Sequence, residues 1–123
     1  MAMNPSTNTN AFRQMFEREK LNGSNFNDWY RQLRIVLRVE ERMDVIENQW
    51  PNEPAVTASQ AEKAEYRIQY TRFNEVCCLM LASMSPELQK QFEMYTPYDM
   101  IRELKSLYEK QAGVELFDLV VEL

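Results

Sequence analysis

Histidine is absent from this 123-residue sequence. That single absence removes Ser-His-Asp and Cys-His catalysis together with the usual zinc-binding spacings. Glycine is almost absent, with only Gly23 and Gly113. Phosphate-cradling loops and the turns of all-β folds draw on glycine, so neither a nucleotide fingerprint nor a β architecture is expected. The two cysteines, Cys77 and Cys78, are adjacent. Neighbouring helical positions point about 100° apart, which is a poor geometry for a bridge. With no disulfide framework the chain suits a reducing compartment. With no third soft ligand in view, both cysteines read as small core residues rather than as a metal site. Long apolar runs are missing too: the longest, Val76–Ala82, is seven residues, against about 20 for a membrane span. The first ten residues lack the apolar stretch of a secretory signal. The expected location is the cytoplasm, with no membrane partner.

What is present is ordinary for a globular protein: 45% hydrophobic and 27% charged residues. The length suits one domain able to bury a core without staples. The formal net charge of -5 opposes bulk attraction to nucleic acid. Residues 1–10 read as a disordered lead. Phe12, Met15 and Phe16 fall at helical spacing within 11–20, and Leu21-Asn22-Gly23-Ser24-Asn25 reads as a turn. Capped by Asp28 or a polar neighbour, a helix is predicted from Trp29 to about Glu47. Trp29, Leu33, Val36 and Leu37 form one stripe, and Ile35, Val39, Met43 and Ile46 form a second apolar face. A helix apolar over so much of its circumference belongs at the centre.

Trp50, Pro51 and Pro54 mark a loop. Thr57-Ala58-Ser59-Gln60 has the form of a capping box, predicting a helix from Thr57 to about Met84 with Tyr66, Tyr70, Phe73, Cys77, Leu81 and Met84 as its stripe. Ser85-Pro86-Glu87 and Thr96-Pro97-Tyr98-Asp99 are two further helix starts, each with a hydroxyl N-cap, proline at N1 and an acid in the first turn. Leu88, Phe92 and Met94 supply the apolar contacts of the first. Tyr98, Ile101, Leu104, Leu107 and Tyr108 supply those of the second, which Gly113 is expected to end. Val114–Leu123 reads as the start of another helix, or as a linker to a second lobe. The prediction is an all-α, compact orthogonal bundle of five to six helices whose domain spans 11–113. Trp29, Leu33, Leu37, Phe73, Leu81 and Leu104 are assigned to the core.

No catalytic constellation emerges. Glu17, Glu19, Glu40, Glu41, Glu62 and Glu65 follow solvent faces. Tyr66, Tyr70, Phe73, Met80, Met84, Phe92 and Met94 are of the type that lines either a core or a ligand groove. Arg31, Arg34, Arg38 and Arg42 recur at i, i+3, i+7 and i+11, placing four guanidinium groups on one helix face. Such a face is either an RNA or acidic-partner surface, or a solvated face paired with Glu41 or with acids from another helix.

Three segments carry a family resemblance. Lys20-Leu21-Asn22-Gly23-Ser24-Asn25-Phe26-Asn27-Asp28-Trp29-Tyr30-Arg31, continuing through Leu37, resembles the opening of Gag polyproteins of plant copia-type LTR retrotransposons, where a Leu-x-Gly-x-Asn-aromatic turn precedes a helix that opens with Trp. The stretch from Val76 through Ser83-Met84-Ser85-Pro86-Glu87-Leu88 to Gln91 is the second match, and Tyr98-Asp99-Met100-Ile101-Arg102-Glu103-Leu104-Lys105-Ser106-Leu107-Tyr108 the third. Their order and spacing fit the family over residues 11 to 118.

The resemblance implies a non-enzymatic structural protein that self-associates into virus-like particles enclosing the element's RNA. It also implies a fold similar to the N-terminal lobe of retroviral capsid. That family's Gag usually continues into a second helical lobe and a Cys-Cys-His-Cys knuckle that binds RNA. No knuckle can be built without histidine, so RNA is expected to bind mainly through a region absent from this chain. The last segment departs from the family, being apolar at Leu116, Val120 and Val121 where the family is polar and basic. Homotypic Gag–Gag contacts are expected through Phe12, Met15, Phe16, Trp50, Leu116, Phe117 and Val120. The alternative is a domesticated Gag-like adaptor that binds a peptide in an inter-helical groove. No cofactor or metal is expected in either case.

Overall fold

Three helix N-caps, at Ser59, Ser85 and Thr96, mark where the later helices begin. The computed structural model describes residues 19–109 together with Gln14 and Glu17. Phe12, Met15, Phe16, Gly113, Leu116, Phe117 and Val120, with the segments 1–10 and 114–123, lie outside the described residues. Five helices are described: α1 (Phe26–Val39), α2 (Asp44–Glu47), α3 (Gln60–Ala82), α4 (Pro86–Phe92) and α5 (Pro97–Leu104). A single π-helical turn, Lys105–Glu109, follows. Among the described residues there is no strand, only one isolated parallel bridge between Leu21 and Met84. The all-α expectation holds.

Helix α1 buries Phe26, Trp29, Leu33, Val36 and Leu37 on one stripe. It begins at Phe26 rather than Trp29, with Asn25 and not Asp28 at the N-cap position. The Asn25 side chain instead closes the preceding turn, accepting from the Asn22 N–H at 3.0 Å and donating to the Lys20 carbonyl at 2.9 Å. The helix stops at Val39, well short of the expected Glu47. Glu41 takes the left-handed conformation, φ 57°. The Arg42 N–H donates to the Leu37 carbonyl at 2.7 Å and the Glu41 N–H to the Arg38 carbonyl at 3.2 Å. These two bonds make a Schellman ending with glutamate where glycine is usual. The break also removes the expected second apolar face: Ile35 is 47% and Val39 69% exposed.

Beyond the break, α2 buries Val45 and Ile46. The Arg72 guanidinium from α3 forks onto Asp44, Nη2 to Oδ1 at 2.8 Å and Nη1 to Oδ2 at 3.0 Å, and Nη2 also reaches the Glu41 carbonyl at 3.4 Å. These bonds hold the Asp44 carboxyl below its ordinary range, mainly through the hydrogen bond from Arg72. Arg42 pairs with Glu75 on α3. The α1–α2 corner is thus fastened to α3 by two arginines.

Helix α3 starts at Gln60, not Thr57. Ser59 Oγ accepts from the Glu62 N–H at 3.1 Å, and the Ser59 N–H donates to Glu62 Oε1 at 2.9 Å, so the box is Ser59–Glu62. Glu62 can accept as a full carboxylate, whereas Gln60 offers only an amide oxygen. Only the C-terminal half of α3 is buried, at Phe73, Val76, Cys77 and Met80, and Tyr70 is 44% exposed. The Pro51–Pro54 loop lays Trp50 across α3, with its ring edge-on to Tyr70 at 5.3 Å and tilted against Phe73 at 6.1 Å. Trp50 is therefore half-buried by intramolecular packing.

Ser85 and Thr96 cap α4 and α5 as the sequence predicts, accepting from the Leu88 and Asp99 N–H groups. Leu88 and Phe92 are buried, but Met94 is 90% exposed because α4 ends at Phe92 and turns it outward. Met100 joins Ile101 and Leu104 in the core. After Leu104 the helix widens into the π turn, leaving Leu107 exposed and turning Tyr108 inward. Helix α2 packs on α3 and α5, α3 on α4 and α5, and the π turn on α1.

Candidate functional site

The side chains with chemical potential are dispersed. Among the described residues no three of Cys, Asp and Glu converge into a metal-binding group. No described helix is long and apolar enough to cross a membrane. Cys77 is buried, and its thiol contacts the Tyr95 carbonyl at 3.5 Å. Burial, helped by neighbouring Cys78, pushes that thiol up to about 11. Cys78 is exposed, contrary to its expected place in the core, because it follows Cys77 off the buried stripe. A thiol held so far toward its neutral form is a poor nucleophile.

The three segments that carry the family resemblance meet in space. The end of α3 presents carbonyls that no further helical turn can satisfy. Lys20 and Leu21 fill that gap. The Leu21 N–H donates to the Ser83 carbonyl and the Ser85 N–H donates to the Leu21 carbonyl, both at 2.9 Å, while Lys20 Nζ reaches the Ala82 carbonyl at 2.7 Å. Trp29 Nε1 donates to the Ser83 hydroxyl at 2.9 Å, and that hydroxyl donates to the Met80 carbonyl at 2.7 Å. From the third segment, Tyr108 closes the node. Its ring lies 6.1 Å from that of Phe26. It also covers Gly23, where φ is 101° and a Cβ would stand 3.0 Å from the tyrosine. Glycine is required there for both reasons.

Beside this node runs a basic and aromatic ridge. Phe26 and Tyr30 stack at 5.5 Å with rings 9° from parallel. The Arg34 guanidinium lies 4.5 Å from the Tyr30 centroid, and Lys105 Nζ of the π turn lies 5.1 Å from the same point. Arg38 follows one turn beyond Arg34. The expected four-arginine face is thereby corrected. Arg42 leaves the row because α1 has already ended, and it pairs with Glu75. Arg31 pairs with Asp28 at 2.9 Å. Arg34, Arg38 and Lys105 make no ion pair among the described residues. The i, i+4, i+8 spacing of Phe26, Tyr30 and Arg34 was a readable signal for the stack. Lys105 had none, since only the fold brings the π turn to α1.

Two further surface features stand out. Ile35 and Val39 are exposed one turn apart on α1, with Arg38 beside them. A shallow open hollow near α5 is lined by Met94, Tyr95, Asp99, Arg102, Glu103 and Ser106, a mixed and mostly polar set. No family model, curated protein or solved structure matches the chain.

Proposed function

We propose that this chain is a non-enzymatic assembly domain of the copia-type Gag kind, working in the cytoplasm through contacts between its own copies. The observation that carries this is the node. The three segments on which the resemblance rests are spent together on holding helices in place: Leu21 on Ser83 and Ser85, Trp29 on Ser83, and Gly23 under Tyr108. Their residues serve a scaffold rather than a reaction, which suits a domain whose function lies in its outer surfaces.

Ile35 and Val39 are the candidate contact pair among the described residues. They are large aliphatic side chains, exposed one turn apart on the face of α1 turned away from the core. A concentration series by small-angle X-ray scattering tests the proposal. A mass that rises reversibly with concentration supports it, and a constant monomer mass removes it.

A further inference from the structure

We infer that Lys105, Arg34 and Arg38, organised by Tyr30, form a binding ridge for the backbone of single-stranded nucleic acid. The inference goes beyond the assembly proposal and does not depend on it, because a monomer presents the whole ridge.

Three observations carry the argument. First, the cations gather at one aromatic ring. Arg34 and Lys105 both lie about 5 Å from one tyrosine centroid. With Arg38 they make no ion pair among the described residues. Gathering like charges around one ring is unfavourable by itself, and an anion laid across them relieves it.

Second, the arrangement is a line. Tyr30, Arg34 and Arg38 recur every fourth residue along α1, so the row runs about 12 Å at 1.5 Å rise per residue, with Lys105 near its Tyr30 end. A row of that length on a convex helix suits an extended polyanion better than a compact one. A flexible single strand can follow it.

Third, Arg34 is pre-positioned. Its guanidinium carbon lies 4.5 Å from the Tyr30 centroid, and the Tyr30 ring is itself stacked on Phe26. Arg34 and Lys105 are exposed, which leaves their donors to meet phosphates, and a single strand can also bring an unpaired base against the arginine. A duplex keeps its bases out of reach of such a contact. The overall charge of -5 makes this a local site rather than a general attraction to nucleic acid.

The test is fluorescence anisotropy of the full chain with a labelled twelve-nucleotide oligouridylate, repeated over a range of salt. Three backbone contacts predict a slope of log K on log salt of about -2, at roughly 0.7 per neutralised phosphate for single strands. Arg34→Ala, Arg38→Ala and Lys105→Ala are each expected to reduce the slope by about 0.7. The charge-retaining triple change Arg34→Lys, Arg38→Lys, Lys105→Arg keeps the slope and guards against a misfolded alanine variant. Arg67→Ala, an exposed cation on α3, is expected to leave binding unchanged. The inference is overturned by no salt-dependent binding of the wild-type chain, or by an unchanged slope in the triple alanine variant. Equal loss in Arg67→Ala, or competition by duplex RNA as effective as by single strand, overturns it as well.

Discussion

The indole N–H of Trp29 and the hydroxyl of Ser83 meet at 2.9 Å in the interior, joining the first buried turn of α1 to the residue that ends α3. Ser83 is the one buried polar residue of the described core, and its hydroxyl passes the bond on to the Met80 carbonyl. Ser83→Ala strands the buried indole donor, at an expected cost of about 1–3 kcal/mol. Adding Trp29→Phe to Ser83→Ala removes the stranded group, so the double variant loses less than the sum of the singles. Urea denaturation of the four proteins measures this coupling. Strict additivity would show that the bond contributes nothing.

The start of α3 offers a choice between two overlapping boxes. Ser59→Ala is expected to cost about 1 kcal/mol, and Thr57→Ala close to nothing. Thermal melts of the two variants distinguish the cap formed by Ser59 and Glu62 from the one that Thr57 and Gln60 spell in the sequence.

The two positive-φ residues among those described, Gly23 and Glu41, predict opposite signs. Gly23→Ala forces a Cβ into the left-handed region and against the Tyr108 ring. It should destabilise by about 1–2 kcal/mol, with part of the loss recovered when Tyr108→Ala is added. Glu41→Gly relieves the side-chain strain at φ 57° and should stabilise by up to about 1 kcal/mol, net of the added freedom of the unfolded chain. Denaturant midpoints report both.

Cys77 gives a pH dependence. Its thiol ordinarily titrates near 9.0, and burial raises it to about 11 in the folded chain. Between those values the unfolded state has released the proton that the folded state still holds. Stability therefore falls as pH rises from about 9 toward 11, and the contribution is fully present below 9. The slope should shrink in Cys77→Ala. In the native protein at pH 8, a thiol reagent should modify Cys78 alone, with Cys77 reacting only on unfolding.

How much of this was legible in the sequence depends on the range of the interaction concerned. The caps at Ser85 and Thr96 and the stripe Trp29, Leu33, Leu37 were readable because their signals are local. The end of α1 was not. Val39, Met43 and Ile46 continue a helical apolar spacing through the break, and glutamate at the left-handed position carries none of the signal that glycine would. What stabilises that corner is Arg72, a residue of another helix gripping both Glu41 and Asp44. The arginine face was half legible. The spacing of Arg34 and Arg38 was right, but the neutralisation of Arg42 by Glu75 and the arrival of Lys105 at Tyr30 are products of tertiary packing. Exposure of Ile35 and Val39 was hidden for the same reason: periodicity marks an apolar face without saying whether anything covers it.

In the proposed assembly domain, copies of the chain meet through the outer face of α1. Sedimentation velocity of the full chain over a wide concentration range, beside the variant Ile35→Glu, Val39→Glu, tests that claim most directly. The account predicts reversible growth in mass for the wild-type chain and a folded monomer for the variant at every concentration. A wild-type chain that stays monomeric throughout, or a variant that associates as the wild type does, would contradict it.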